Sequence, residues 1–246
     1  MRSWYDRAFG PWYLKLYPHR DLPEARTAVD TLASWIPARG TVLDVGCGPG
    51  RYLDALGQSG RRVLGLDLSW ALLEEAAKLP GLDSRLVRGD MRRLPFAGGV
   101  FSTAISMFTS FGYFGSQEAH VELLSEISRV VRPRGRLILD YLNAPVVRNN
   151  LVPESRRVVE GYEVYEKRFV RADSGGEWVV KELVIQDSDG AEVERYHEEV
   201  SLYERDELLS LLKQSEWREI QSLGDYSGAP WSPDSSRLMV VAEKEH

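Results

Sequence analysis

Hydrophobic positions between residues 28 and 142 follow two alternating spacings. Apolar residues recur at helical spacing before residue 41, from about 69 to 79 and from about 118 to 131. Between these stretches stand β-rich runs, at 41–45, 62–66, 84–88, 100–107 and 136–141. Strands and helices that alternate in this way predict helical crossovers between parallel strands, and therefore a doubly wound α/β sheet.

The first 40 residues are crowded with aromatic side chains, namely Trp4, Tyr5, Phe9, Trp12, Tyr13 and Tyr17. They are followed by an apolar series, Ala28, Leu32, Trp35 and Ile36, whose spacing predicts a helix before the first strand. We interpret residues 1–40 as a helical lid or substrate segment. Four of its aromatics, Tyr5, Trp12, Tyr13 and Tyr17, are expected either to close over a ligand or to pack between helices.

The pattern changes between residues 156 and 203, where helical periodicity disappears. Three β-rich stretches, 157–170, 178–186 and 193–203, are separated by turn sequences at 173–176 and 187–190. They predict an antiparallel β cap, 156–203, inserted into a main domain made of 41–155 and 204–246. A helix over 205–213 and strands near 219–223 and 237–242 are expected to return the chain to the main sheet.

Composition limits the classes of partner. The chain has 246 residues, of which 43% are hydrophobic, and a formal net charge of -6, which suits one substantial core and argues against nucleic acid as the main partner. Its single cysteine, Cys47, and the absence of a long apolar run or a secretory signal predict a cytoplasmic protein with no membrane partner. Its four histidines lack metal-ligand spacing, so no metal site is expected.

A glycine-rich loop follows the first predicted strand, with Gly46, Gly48 and Gly50 at alternate positions. Glycine lets the backbone approach a ligand because no Cβ stands in the way. In open parallel sheets, ligands bind beyond the carboxyl ends of the strands, where the strand order reverses. The loop alone is also compatible with an ordinary turn between a strand and a helix.

Two carboxylates close the next two predicted strands, Asp67 after the second and Asp90 after the third. A carboxylate at the first of these places can accept both hydroxyls of a ribose, and one at the second can accept the exocyclic amine of adenine. Each aspartate alone could equally be a helix cap or a turn residue. Together with the loop they predict an adenosine-shaped site.

The ligand is not predicted to be a dinucleotide. The loop has the spacing G-x-G-x-G, and Arg51 occupies the position of the third glycine of the dinucleotide fingerprint. Asp44, just before the loop, would repel a pyrophosphate but suits the cationic amino group of an amino-acid ligand.

These segments resemble the motifs of the class I S-adenosylmethionine-dependent methyltransferases. The similarity covers residues 40–142, on the segments 43–50, 65–69, 88–96, 101–107 and 129–137. It implies S-adenosylmethionine as the methyl donor and a seven-stranded, mostly parallel, Rossmann-like sheet whose last strand is antiparallel. With the carboxylates and the lid aromatic Tyr13 already singled out, the predicted donor-binding residues are Asp44, Gly46, Cys47, Gly48, Gly50, Asp67, Leu68, Asp90, Met91, Ser106, Met107 and Tyr13.

A looser resemblance links residues 106–113 and the inserted β segment to the glycine and amino-sugar N-methyltransferases. The acceptor does not carry over, because the inserted segment and the amino-terminal aromatics diverge too far. An amine acceptor needs no strong base if its nitrogen arrives neutral, whereas an oxygen acceptor would be helped by one. The candidate bases are His19, Tyr113, Asp140 and Tyr141, of which His19 and Tyr113 are the predicted catalytic residues.

The sequence therefore predicts a methyltransferase that acts on the nitrogen or oxygen of a small molecule. Two alternatives stay open, a protein that binds the donor without catalysis and a methyltransferase of RNA or protein. Whether the chain forms a homodimer is also left open. Removal of residues 1–18 is expected to impair methyl transfer more than folding.

Overall fold

A computed structural model describes residues 4–17 and 22–246, so His19 lies outside the described residues. The strands are β1 (Thr41–Val45), β2 (Arg62–Asp67), β3 (Leu86–Arg88), β4 (Phe101–Ser106), β5 (Val131–Leu142), β6 (Glu154–Val159), β7 (Tyr162–Asp173), β8 (Gly176–Gln186), β9 (Glu192–Ser201), β10 (Trp217–Leu223) and β11 (Arg237–Lys244). The helices are α1 (Tyr5–Ala8), α2 (Pro11–Leu16), α3 (Leu22–Leu32), α4 (Arg51–Gln58), α5 (Trp70–Ala76), α6 (Gln117–Val130), α7 (Ala144–Asn150) and α8 (Arg205–Gln214).

The main sheet has seven strands in the order β10-β11-β5-β4-β1-β2-β3. Strands β1 to β5 pair in parallel, whereas β11 runs antiparallel to both β5 and β10. The predicted doubly wound sheet with an antiparallel last strand is thus confirmed. Strand order reverses between β1 and β4, which neighbour each other although two strands separate them in sequence.

Helices cover both faces of the main sheet because each helix carries one apolar side. On one face α3 and α4 pack against β1, through residues such as Ala28, Leu32 and Leu53. On the other face α6 and α8 pack against β4 and β5, through Leu124 and Leu211 among others. The central strand β4 is buried along its whole length, as expected of a strand covered on both faces.

A second sheet of four antiparallel strands has the order β6-β7-β8-β9. The prediction of three strands in this region was wrong, because the stretch 157–170 is divided between β6 and β7. Glu160 and Gly161 form the intervening turn with φ angles of 51° and 86°, and Val159 pairs with Tyr162 across it. The predicted turns at 173–176 and 187–190 do connect the remaining strands.

Several boundaries also differ from the sequence pattern. Helix α3 ends at Leu32, and Trp35 and Ile36 lie in a turn before Pro37, since the residue before a proline is disfavoured in helical geometry. Strand β5 begins at Val131 and includes the predicted turn, where Arg134 has a φ of 58° and the pairing with β4 shifts register. Helix α7 was not predicted.

Helices α1 and α2 pack on one face of the second sheet. Ala8, Leu16 and Tyr17 form a buried cluster with Val164, Leu183, Ile185 and Tyr196. No helix among residues 4–17 and 22–246 has the length and apolar character needed to cross a membrane. The same residues contain no group of three or more histidine, cysteine, aspartate or glutamate side chains placed to hold a metal ion.

Candidate active site

A pocket opens at the carboxyl ends of the parallel strands, beside the point where strand order reverses. The predicted site residues that line it are Gly46, Cys47, Gly48, Asp67, Leu68, Asp90, Met91, Met107, Tyr13 and Tyr113. Three others do not line it, namely Asp44, Gly50 and Ser106. Its further lining residues were not predicted as binding residues and include Phe9, Arg51, Tyr52, Phe108, Ser110 and Phe114.

The loop after β1 needs glycine for steric and conformational reasons. Gly46 has a φ of 78°, and a Cβ there would lie 2.8 Å from the Cβ of Ser110. Gly50 has a φ of 82° and turns the chain into α4, packed against Ala76 rather than facing the pocket. The amides of Gly46 and Cys47 both donate to the Leu66 carbonyl, at 2.8 and 3.0 Å, so the loop is tied to the end of β2.

Asp67 connects this loop to helix α5. Its Oδ2 accepts a hydrogen bond of 2.8 Å from the Gly48 amide, and its Oδ1 accepts one of 2.8 Å from the Ser69 amide. Burial raises the pKa of Asp67, and these amide hydrogen bonds act in the opposite direction. Each carboxylate oxygen can accept more than one hydrogen bond, so the side chain can still receive hydroxyl groups from the pocket.

Asp90 is paired with Arg92, two residues further along the chain. The guanidinium of Arg92 binds both of its oxygens, and the Arg92 amide donates to Oδ1 at 2.9 Å. The side-chain hydrogen bond from Arg92 lowers the pKa of Asp90. Asp90 is partly exposed and therefore remains an ionised acceptor at the edge of the pocket, although its charge is already compensated.

Asp44 and Arg51 are two buried ionisable side chains beside the glycine loop. Asp44 is 1% exposed, and neither of its oxygens has a hydrogen-bond partner within the described parts of the chain. Arg51 is 8% exposed, lines the pocket and contacts Glu24 at 3.1 Å. An unpartnered buried carboxylate is costly unless a cation or donor completes it. An ionised Asp44 and Arg51 would suit the ammonium and carboxylate of an amino-acid ligand.

Burial, with Asp67 nearby, raises the pKa of Asp44 to about 8, and Arg51 acts in the opposite direction. Without a ligand Asp44 is therefore protonated at neutral pH, whereas an ammonium would favour its ionised form. Binding of a zwitterionic amino-acid ligand should release a proton, and affinity should rise by up to about tenfold per pH unit as pH increases toward 8.

Calorimetry with S-adenosylhomocysteine in buffers of different ionisation enthalpy measures this proton directly. The variant Asp44→Asn should bind more weakly and lose the pH dependence. A wild-type affinity that stays constant between about pH 6 and pH 8 would show that Asp44 does not ionise on binding.

Aromatic rings enclose the opposite side of the pocket. The rings are those of Tyr5, Phe9, Tyr13, Tyr113 and Phe114. Three come from the amino-terminal segment and two from the loop after β4. Of the predicted lid aromatics, Tyr5 and Tyr13 line the pocket. Trp12 instead meets the Tyr162 ring edge-on at 4.9 Å, and the Tyr17 hydroxyl contacts Glu198 at 3.1 Å, so both contact the second sheet.

The loop that carries Tyr113 and Phe114 is held by a buried histidine. His120 Nε2 accepts from the Phe114 amide at 3.3 Å, and its Nδ1 lies 2.8 Å from the Tyr203 hydroxyl. Burial lowers the pKa of His120 to about 4, so the ring is neutral at physiological pH. Nε2 can accept a hydrogen bond only while the His120 ring is neutral. His120 therefore has a structural role.

Two candidate bases are not available to an acceptor. Asp140 is fully buried and accepts hydrogen bonds from the Tyr226 hydroxyl, the Phe108 amide and Arg237. Tyr141 is also fully buried, and its hydroxyl donates to the Ser201 carbonyl. Neither lines the pocket. Tyr113 does line it and is half-buried.

Comparison with known proteins assigns the family. Residues 42–135 match the profile of the methyltransferase domain. A dTDP-3-amino-3,4,6-trideoxy-alpha-D-glucopyranose N,N-dimethyltransferase from Streptomyces venezuelae is 31% identical over 168 residues, which are 62% of this chain and 70% of that protein. The cypemycin N-terminal methyltransferase of a Streptomyces species is 28% identical over 225 residues, 87% of this chain and 89% of its own.

The fold is shared with solved structures. The structure of the CcbJ methyltransferase from Streptomyces caelestis superposes with a TM-score of 0.77 at 17% identity, and the match covers 91% of this chain and 90% of that one. The chain belongs to the S-adenosylmethionine-dependent methyltransferases. It is an enzyme whose methyl donor is S-adenosylmethionine, as its first motifs implied.

Proposed function

We propose that the enzyme methylates the nitrogen of a small-molecule amine. The observation that carries this proposal is the composition of the pocket wall. Among the described lining residues the only carboxylates are Asp67 and Asp90, both at strand ends, and the opposite wall is aromatic. An amine that arrives neutral needs no base, so such a wall suits nitrogen better than oxygen.

The activities for which two relatives are named support an amine acceptor. One is an N,N-dimethyltransferase of an amino sugar, and the other is an N-terminal methyltransferase. Both names describe transfer to nitrogen. The net charge of -6 supports a small molecule rather than a nucleic acid. A cytoplasmic location is part of this proposal and rests on the single cysteine.

The order of the strands suggests how the donor lies. Along the sheet β3, β2, β1 and β4 are neighbours, so an elongated ligand across their ends meets one group from each. We place adenine at Asp90, ribose at Asp67 and the amino-acid end between Asp44 and Arg51. The methyl group then faces Met107 and the aromatic wall.

S-adenosylmethionine supplies a methyl carbon bonded to a positively charged sulfur, which departs as a neutral thioether when nitrogen attacks from the opposite side. The protein's task is to align these atoms and exclude water. Apolar rings such as Tyr113, Phe9 and Tyr13 suit the exclusion of water. They also suit alignment, because aromatic faces attract the positively charged sulfur. The nitrogen carries a proton as well as the new methyl group, and that proton passes to solvent. No step requires Tyr113 as a base.

A panel of small amines and their hydroxyl counterparts tests the proposal, with methyl transfer followed by mass spectrometry. We expect methylation of nitrogen only. The kcat/KM should rise about tenfold per pH unit below the pKa of the amine substrate and level off above that pKa, where the amine is neutral. Methylation of the hydroxyl counterparts alone would contradict the proposal. Donor binding without turnover on any amine would favour the non-catalytic alternative. Transfer to RNA or protein alone would favour the macromolecular alternative.

A further inference from the structure

The chain makes an unusual bend directly after β4, at the edge of the donor pocket. Phe108 and Thr109 have φ angles of 54° and 62°, a left-handed conformation that side chains with a Cβ rarely adopt. Phe108 lines the pocket. Two consecutive residues of this kind persist only where the surroundings hold them in place.

One residue holds both amides of the bend. Asp140, on the neighbouring strand β5, accepts a hydrogen bond of 2.7 Å from the Phe108 amide through its Oδ2. Its backbone carbonyl accepts one of 3.0 Å from the Thr109 amide. The Asp140 side chain is completely buried, so its position is fixed and the bend is fixed with it.

Asp140 is in turn held by the last strand of the sheet. Arg237, the first residue of β11, donates through Nε to Asp140 Oδ1, and a second guanidinium nitrogen lies 3.4 Å from the Thr109 hydroxyl. The Tyr226 hydroxyl donates to Asp140 Oδ2 at 2.6 Å. Arg237 therefore contacts both the bend and the carboxylate that shapes it, yet it does not line the pocket.

Two guanidinium groups contact the Phe108 ring. Arg237 is 5.0 Å from the ring centroid, and Arg51 is 4.5 Å from it. A planar guanidinium stacks on an aromatic ring and is oriented by it. Arg51 lines the pocket, and the Phe108 ring is one of the groups that orient it, together with Glu24 and the Tyr52 ring.

We propose that Arg237 is a positioning residue for the carboxylate end of the methyl donor. With Asp140 it fixes the bend, the bend presents the Phe108 ring to Arg51, and Arg51 binds the donor carboxylate. This inference rests on the role proposed above for Arg51. It extends the binding site to a strand that is far in sequence from every donor-binding motif.

Two ligands separate this role from general structural support. S-adenosylhomocysteine has the amino-acid end, whereas 5′-methylthioadenosine keeps the adenine and ribose but lacks that end. In calorimetric titrations Arg237→Lys should weaken binding of the first by roughly tenfold and leave the second nearly unchanged. Arg205→Lys is the matched control, because Arg205 pairs with Glu219 and lies near the Trp231 ring outside the pocket. It should affect neither ligand.

Further variants keep the test decisive if Arg237→Lys does not fold. Phe108→Leu leaves the Arg237 pair in place and should show the same selective loss. The double variant Arg51→Lys/Arg237→Lys should bind S-adenosylhomocysteine no more weakly than Arg51→Lys alone. Equal loss for both ligands, or no loss, would overturn the inference. If Arg51→Lys itself shows no selective loss, the proposed donor site fails and this inference with it.

Discussion

Alanine in place of Asp67 is expected to weaken the binding of S-adenosylhomocysteine by at least about tenfold, because ribose hydroxyls would lose a charged acceptor. The same carboxylate holds the amides of Gly48 and Ser69 at 2.8 Å each. Its loss would therefore also loosen the glycine loop and the start of helix α5. The dissociation constant from calorimetric titration measures both effects together.

A matched control separates the loss of a ligand-binding carboxylate from the loss of its hydrogen bonds to backbone amides. Asp187 also holds two backbone amides, those of Asp189 at 3.0 Å and Ala191 at 2.9 Å, but it lies in a hairpin of the second sheet. Asp187→Ala should leave the affinity for S-adenosylhomocysteine unchanged. An unchanged affinity in Asp67→Ala would remove Asp67 from the donor site.

Opening the aromatic wall should have the second large effect. The double variant Phe9→Ala/Tyr13→Ala removes two rings that line the pocket. We expect kcat/KM for an accepted amine to fall at least about tenfold, since water enters and the reacting atoms are held less closely. Steady-state kinetics measure this loss, and stopped-flow measurements should show faster dissociation of the donor.

Point variants are better suited to this test than removal of residues 1–18. The amino-terminal helices bury an apolar face of the second sheet, including Val164, Leu183 and Ile185. Truncation would expose that face and reduce stability together with transfer. Trp12→Ala is the control, because Trp12 belongs to the same segment but packs on Tyr162 outside the pocket. Activity that stays intact in the double variant but falls in the control would contradict a role for the wall in transfer.

The placement of the loops that line the pocket followed from the sequence for a geometric reason. The carboxyl ends of parallel strands lie at one edge of the sheet. Gly46, Asp67 and Asp90 follow three successive strands, so the alternation of strands and helices was enough to bring them together. Arg51 and Phe108 directly follow two of the segments that resemble methyltransferase motifs, 43–50 and 101–107. This adjacency could have predicted that both residues line the pocket.

Other features depend on partners that are distant in the sequence. Arg237 reaches Asp140 from the far end of the chain. Tertiary hydrogen bonds impose the bend at Phe108, a residue with no intrinsic preference for it. The turn at Glu160 was missed for a different reason: it interrupts a continuous β-rich pattern, and local periodicity does not report where a hairpin closes.

The central claim is that the ends of strands β1, β2 and β3 bind one molecule of S-adenosylmethionine along its length. A crystal structure of the enzyme grown with S-adenosylhomocysteine tests it most directly. It should show ribose hydroxyls on Asp67, adenine beside Asp90 and the amino-acid end between Asp44 and Arg51. Density for the ligand in any other cavity, or with its two ends exchanged, would contradict the account.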